Sequence, residues 1–212
     1  YHLGGYILFS RDFEDKTKDE VIANIASYQE SADIPLLIGV DEEGGTVNRI
    51  SKYPALRNKP FASPQDIYAA NGFSGVIADT IEKAEFLKEF GINVNFAPVA
   101  DVSTNPEDYI YQRSFGQNAT LTAEYVTDVV TAMKTAHIAS VLKHFPGYGN
   151  NVDTHTGISV DTRSYETFQN SDFLPFIAGI NSGADIVLVS HNIVTSMDPD
   201  NPASCLLYTS PS

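Results

Sequence analysis

Between Lys143 and His155 the chain places four ionisable side chains, Lys143, His144, Asp153 and His155, within thirteen positions. The apolar run Ala139 to Leu142 leads into them and reads as a buried strand. Pro146, Gly147 and Gly149 then punctuate a turn, and a polar loop ends in Asp153-Thr154-His155. Scaffolds of parallel strands carry their chemistry at strand ends and in the loops that follow. In a bent loop, a carboxylate two residues before an imidazole can hold one ring nitrogen and leave the other to move a proton. An imidazole titrates near pH ~6.5 when unperturbed, which suits a general acid/base. The same Asp-x-His also fits an Asx-type turn beside a surface His. Metal ligation is a third reading, although no H-x-x-x-H or Cys cluster accompanies it.

Other strand ends carry charge too. Pro35 to Val40 reads as a buried strand that stops at Asp41-Glu42-Glu43-Gly44-Gly45, with Arg49 close behind. Three acids at a strand terminus are costly unless paired or functional; the plain alternative is a solvated loop with one structural acid. A carboxylate accepts two hydroxyl bonds and a guanidinium forks two acceptors. Arg113 lies in a loop from Asn105 to Gln117, where a salt bridge that fixes the loop is the plain reading. His191 follows the apolar run Ala184 to Val189 and reads as a core or supporting residue rather than a catalytic one. Asp101 reads as structural, anchoring the loop after it.

Lys143-His-Phe-Pro-Gly-x-Gly149 followed by Asp153-x-His155 resembles the signature of glycoside hydrolase family 3, in its β-N-acetylglucosaminidase branch. Asp41-x-Glu-Gly-Gly-x-Val-x-Arg49, Pro98-Val-x-Asp101 and Arg113-Ser-Phe115 agree with the same family, and the resemblance covers essentially residues 3 to 204. Tyr148 stands where many members have His, Thr46 where many have Arg, and the loop before Asp153 is about one residue shorter than in some relatives. The resemblance implies a (β/α)8 barrel and retaining cleavage of terminal β-linked N-acetylglucosamine through a covalent glycosyl-enzyme. Peptidoglycan fragments are the implied substrate, with chitin oligosaccharides as the alternative. His155 is then the acid/base and Asp153 its partner; Asp41, Arg49, Arg113, Lys143 and His144 contact the sugar. No cofactor and no metal ion are implied. The nucleophile in this family is an Asp at the end of the seventh strand, which nothing in this chain matches, so the 212-residue chain by itself is expected to be inactive.

Three alternatives stay open at this point. A neutral imidazole repels an incoming anion less than a carboxylate does, so phosphate could replace water and make the parent a phosphorylase. A non-catalytic sugar-binding protein would use the same contacts. A metal-dependent hydrolase would rest on His144, Asp153, His155 and His191.

The elements that must position these residues are legible as alternating strands and helices. Leu3 to Phe9, Pro35 to Val40, Ile92 to Val102, Ala139 to Leu142 and Ala184 to Val189 read as strands. Thr17 to Ser31, Ser63 to Ala70, Asp79 to Phe90, Thr120 to His137 and Phe173 to Ser182 have helical character. Thr17 and Glu20 form a capping box, and Pro64 suits a first helical position. Met133 and His137 are expected to pack against the core. Near-continuous apolar strands ending in polar loops predict the α/β class with a parallel sheet. Charge at the ends of successive strands favours an incomplete (β/α)8 TIM-type barrel with about five of eight strands over a doubly wound sheet. The first strand is expected before Tyr1 and the last two after Ala203. Residues 1–204 form a partial barrel domain on this reading, and 205–212 a tail foreign to it. Open edges predict poor solubility of the isolated chain.

Net charge is −14, from 27 acidic and 13 basic residues, which argues against nucleic-acid binding. No apolar run approaches the ~20 residues of a membrane span. One cysteine rules out an internal disulfide. The compartment is left open.

Overall fold

The computed structural model describes residues 3–151 and 159–205. In chain order the strands are β1 (Gly5–Leu8), β2 (Leu37–Val40), β3 (Glu42–Gly44), β4 (Val47–Asn48), β5 (Val94–Asn95), β6 (Ala139–Phe145), β7 (Val160–Asp161), β8 (Ile186–Val189) and β9 (Ile193–Val194). The helices are α1 (Lys18–Glu30), α2 (Pro64–Glu89), α3 (Ala119–Thr135), α4 (Tyr165–Thr167) and α5 (Phe173–Asn181). Five strands form one parallel sheet in the order β1-β2-β5-β6-β8. Strand order follows chain order, and helices connect successive strands. That is the winding of a (β/α)8 barrel, here an open part of one.

The helices start where the sequence provides caps. Thr17 and Glu20 satisfy each other's backbone N–H groups at the start of α1. Ser63 accepts from the Asp66 N–H, with Pro64 in the first position of α2. Asn118 accepts from the Leu121 N–H to open α3. The two helical stretches expected around residues 63–70 and 79–90 are one element bent at Gly72, whose φ of 62° suits glycine. His137 is not a packing residue: it is exposed, at φ 58°, and ends α3 in the left-handed conformation. Met133 does pack, buried against the sheet.

The core lies between one face of the sheet and the helices. Ile38, Val40 and Leu142 meet Val21, Ile25, Leu87, Phe90, Val126 and Val130 there. Strand β5 is short, and its asparagines lengthen its hold on β2. Asn93 accepts from Ile38 N–H and donates to Leu36 C=O, and Asn95 does the same for the backbone of Glu42. A two-residue parallel pair, Val160–Ile193 and Asp161–Val194, lies outside the main sheet. Two residues give no periodic signal in the sequence.

Apolar surface is exposed at both ends of the sheet. Ile7 on β1 and Leu37 on β2 are each 53% exposed; Ile177 and Ile180, one face of α5, are 51% and 56% exposed. A face of this kind drives association. The double variant Ile177→Lys, Ile180→Glu should therefore raise the monomeric fraction in size-exclusion chromatography without shifting the circular dichroism spectrum. An unchanged elution profile would show that these side chains do not drive association.

Candidate active site

At the carboxyl ends of the strands, Asp101 is the fixed point. It follows β5 and is 1% exposed. Its Oδ2 accepts from the backbone N–H of His144 at 3.1 Å and pairs with His144 Nδ1 at 2.7 Å. Its Oδ1 accepts from Tyr148 N–H at 2.7 Å. Asp101 thus anchors the turn after β6, not the loop that follows it in sequence. Val99 bridges Lys143, and Ala100 N–H donates to Lys143 C=O at 2.7 Å, so the two strand ends are held side by side.

The His144 ring is committed at both nitrogens. Nδ1–H donates to Asp101, which leaves Nε2 as an acceptor, 3.2 Å from Arg113 Nη2. Arg113 in turn forks Glu43, with Nε 3.0 Å from Oε2 and Nη2 2.7 Å from Oε1. Lys143 Nζ reaches the same Glu43 Oε1 at 2.5 Å and Asp41 Oδ1 at 2.6 Å. Arg49 Nη2 lies 4.0 Å from Asp41 Oδ2. Arg49, Asp41, Lys143, Glu43, Arg113, His144 and Asp101 therefore form one continuous chain of polar side chains. They come from β6 and from the segments after β2, β4 and β5.

Exposure is graded along that chain. Glu43, Lys143 and Asp101 are buried, while Asp41, Arg49, Arg113 and His144 are partly open. These four line a cleft of about 430 Å³ together with Phe9, Tyr109, Tyr148, His191 and an edge of Lys143. The volume suits a small ligand. All five residues expected to contact a sugar thus come together in one cleft. Asp153 and His155 lie outside the described residues.

Other expectations change. His191 is exposed at the cleft, with Nδ1 2.7 Å from Ser204 Oγ, so it is not a core residue. The salt-bridge reading of Arg113 and its place at the cleft hold together: one edge grips Glu43 and the side chain lines the opening. The acidic run is not a solvated loop. Glu42 accepts from the backbone N–H groups of Arg49, Ile50 and Ser51 and from the Ser51 hydroxyl. Burial raises its pKa, partly offset by those donors. Glu42 fixes the segment that presents Arg49. Tyr148 sits edge-on to the His144 ring at 5.4 Å and beside Tyr109 at 5.7 Å. Glu42, Glu43 and Asp101 were not named as site residues. For Glu42 and Glu43 the signal is three acids at one strand end, which need partners; Asp101 stands apart, after a different strand.

Among the described residues no group of three or more His, Cys, Asp or Glu side chains is arranged to hold a metal ion. His144 has no free ring nitrogen for one.

The sequence and the fold are similar to those of known proteins. The model of the glycosyl hydrolase family 3 N-terminal domain matches residues 1–209. A beta-hexosaminidase of Xylella fastidiosa (strain M23) is 32% identical over 203 residues, which are 93% of this chain and 59% of that protein. Beta-hexosaminidase A of Pseudoalteromonas piscicida is 33% identical over 211 residues, covering 93% of this chain and 34% of its own length. Among solved structures, a family 3 beta-N-acetylglucosaminidase from Paenibacillus sp. str. FPU-7 superposes with a TM-score of 0.86 at 29% identity, over 95% of this chain and 38% of that one. NagZ from Neisseria gonorrhoeae, solved in complex with N-trifluoroacetyl-D-glucosamine, gives 0.81 at 26% identity, over 94% and 59%. The chain thus spans 59% of the length of the Xylella relative.

The electrostatic centre of the cleft is Glu43. Burial opposes its ionisation, but Lys143 and Arg113 outweigh burial and hold its pKa at about 2, against an ordinary 4.5. Arg113 shows the converse: burial works against its charge, and Glu43 more than restores it. A folded-state pKa below the unfolded one stabilises the fold above the unfolded value and is lost as pH falls through the folded one. Over 2.5 pH units that is about 3 kcal/mol. Stability of the wild-type chain in urea should therefore fall between pH ~5 and pH ~2. Glu43→Gln should flatten this slope and cost about 3 kcal/mol at pH 7, because Arg113 loses its carboxylate and buried Lys143 keeps only Asp41. Equal acid slopes in both proteins would contradict the assignment.

Proposed function

Because the chain belongs to glycosyl hydrolase family 3, we propose that it is part of a retaining β-N-acetylglucosaminidase that removes terminal β-linked N-acetylglucosamine. The observation that carries this reading is the alternation of acceptors and donors around the cleft: Asp41, Arg49, Lys143, Arg113 and His144. Sugar hydroxyls both donate and accept, so such a rim matches them in a way an apolar pocket cannot. Asp41 accepts from hydroxyls; Arg49, Arg113 and the remaining proton of Lys143 donate. The relatives' names add support, and a glucosamine derivative is what the Neisseria protein holds. Peptidoglycan fragments are the substrate this reading favours.

The chemistry runs in two steps. A carboxylate attacks the anomeric carbon as the bond to the leaving oxygen breaks, and the protonated imidazole of His155 gives its proton to that oxygen. Water then attacks the anomeric carbon, His155 takes its proton, and the carboxylate leaves. Asp153 holds the imidazole in the needed tautomer. No residue of this chain matches the motif of the family's nucleophile, so the attacking carboxylate is not assigned here to any of its side chains.

Assaying the full-length parent protein on an aryl N-acetyl-β-glucosaminide tests this. His155→Ala should lower kcat on the order of 100- to 10,000-fold. Nuclear magnetic resonance should show the β-anomer of free N-acetylglucosamine as first product. A sugar phosphate formed only when phosphate is present would make the protein a phosphorylase, and binding without turnover would make it a sugar-binding protein.

A further inference from the structure

A second ionic cluster, separate from the cleft, lies where the chain leaves and re-enters the segment that carries Asp153 and His155. Its centre is Arg163. Arg163 Nε lies 3.1 and 3.0 Å from the two oxygens of Asp161, and Nη2 lies 2.7 Å from Asp161 Oδ2. Nη1 lies 2.9 and 3.1 Å from the two oxygens of Asp172. Nη2 also donates to Gly147 C=O at 3.1 Å. The guanidinium stacks on the Phe168 ring, 4.4 Å from its centroid. Both carboxylates are essentially buried, Asp161 at 2% and Asp172 at 1% exposure.

Asn151 completes the tie: its Nδ2 donates to Asp161 Oδ2 at 2.6 Å and to Tyr148 C=O at 2.8 Å. Asp161 and Ser159 are themselves fastened to the end of β8 through the β7–β9 pair. Ile193 N–H donates to Ser159 C=O, and Thr195 N–H to Asp161 C=O, each at 2.9 Å. Residues 147–151 and 159–163 are therefore joined through one guanidinium. Gly147 and Gly149 pass so close that a Cβ would collide with Asp172 and Arg163 respectively.

We infer that Arg163 is a positioning residue that locks together the two ends of the segment bearing Asp153 and His155. The inference rests on the acid/base role proposed for that pair. Two buried carboxylates face one cation here, so the fork geometry matters as much as the charge. A lysine, a point charge on a flexible stem, cannot grip both carboxylates and the Gly147 carbonyl in one plane. The function of the clamp is to keep proton donation in register with the leaving oxygen, since small misplacements of a catalytic group are expensive in rate.

The test compares the full-length parent protein with Arg163→Lys and with the milder Asn151→Ala. Two readouts are used: kcat/KM on aryl N-acetyl-β-glucosaminides with a poor phenyl and a good 2,4-dinitrophenyl leaving group, and hydrogen exchange at described amides. A good leaving group departs without protonation, so only the poor one needs an aligned acid. Arg163→Lys should lose on the order of 100-fold on the phenyl substrate and less than about threefold on the dinitrophenyl one. Exchange should quicken at Tyr148 and Arg163 but not in α3. Asn151→Ala should move both readouts the same way and less far. Equal losses on both substrates, or no loss, would overturn the positioning role. If the wild-type protein cleaves neither glycoside, the proposed function falls, and exchange alone decides the clamp: unchanged rates at Tyr148 and Arg163 would overturn it.

Discussion

Glu43 is a carboxylate with almost no access to water, and the cleft is built around keeping it ionised. A buried charge is tolerated only when it is paired and hydrogen-bonded. Two cations meet that need, Arg113 through a two-point fork and Lys143 through one short contact. The same requirement sets the rest of the site. Lys143 is drawn into the interior, where it also holds Asp41. Arg113 is pulled across from its own loop, and the same Nη2 that bonds Glu43 then also faces His144 Nε2. His144 can accept there only because Asp101 takes the proton-bearing nitrogen. Removing the central charge would leave both cations without their shared anion.

The barrel winding supplies the geometry that makes such a network possible. Parallel strands in sequence order bring the segments after β2 and β5, and the end of β6, to one edge. Residues far apart in the chain, Asp41 and Lys143 for example, then meet within a hydrogen bond. The side-chain amides of Asn93 and Asn95 tighten β5 against β2, so that short strand still fixes the position of Asp101. Glu42, next to Glu43, faces the other way and organises the backbone that presents Arg49. Neighbouring acids thus have separate tasks, one in the ionic network and one in the backbone.

Much of this was legible in the sequence, and the limits have physical causes. Strands and helices with long apolar runs or clear periodicity, such as β2, β6, α1 and α3, stood out because burial of one face dictates residue type over many positions. Sites whose spacing is fixed by a motif, Asp41 to Arg49 and Lys143 to His144, were also recognisable. Pairings across the fold were not. Nothing local in the sequence says that Glu43 meets Arg113, or that Asp101 holds the turn after β6 and not its own loop. The bend at Gly72 was read as a gap between two helices, since one glycine gives the same break in periodicity as a loop. His137 fits the helical spacing of α3 yet lies two residues past its end, where the backbone turns left-handed and the side chain faces water.

Calorimetric titration of the full-length protein with N-acetylglucosamine, beside its Asp41→Asn variant, tests the central claim most directly. The ionic network is held to present Asp41 as an acceptor for sugar hydroxyls in the cleft. Saturable one-site binding, weakened at least about tenfold in the variant, is the predicted result, equivalent to ~1.4 kcal/mol. Absence of saturable binding, or equal affinity in the two proteins, would contradict it.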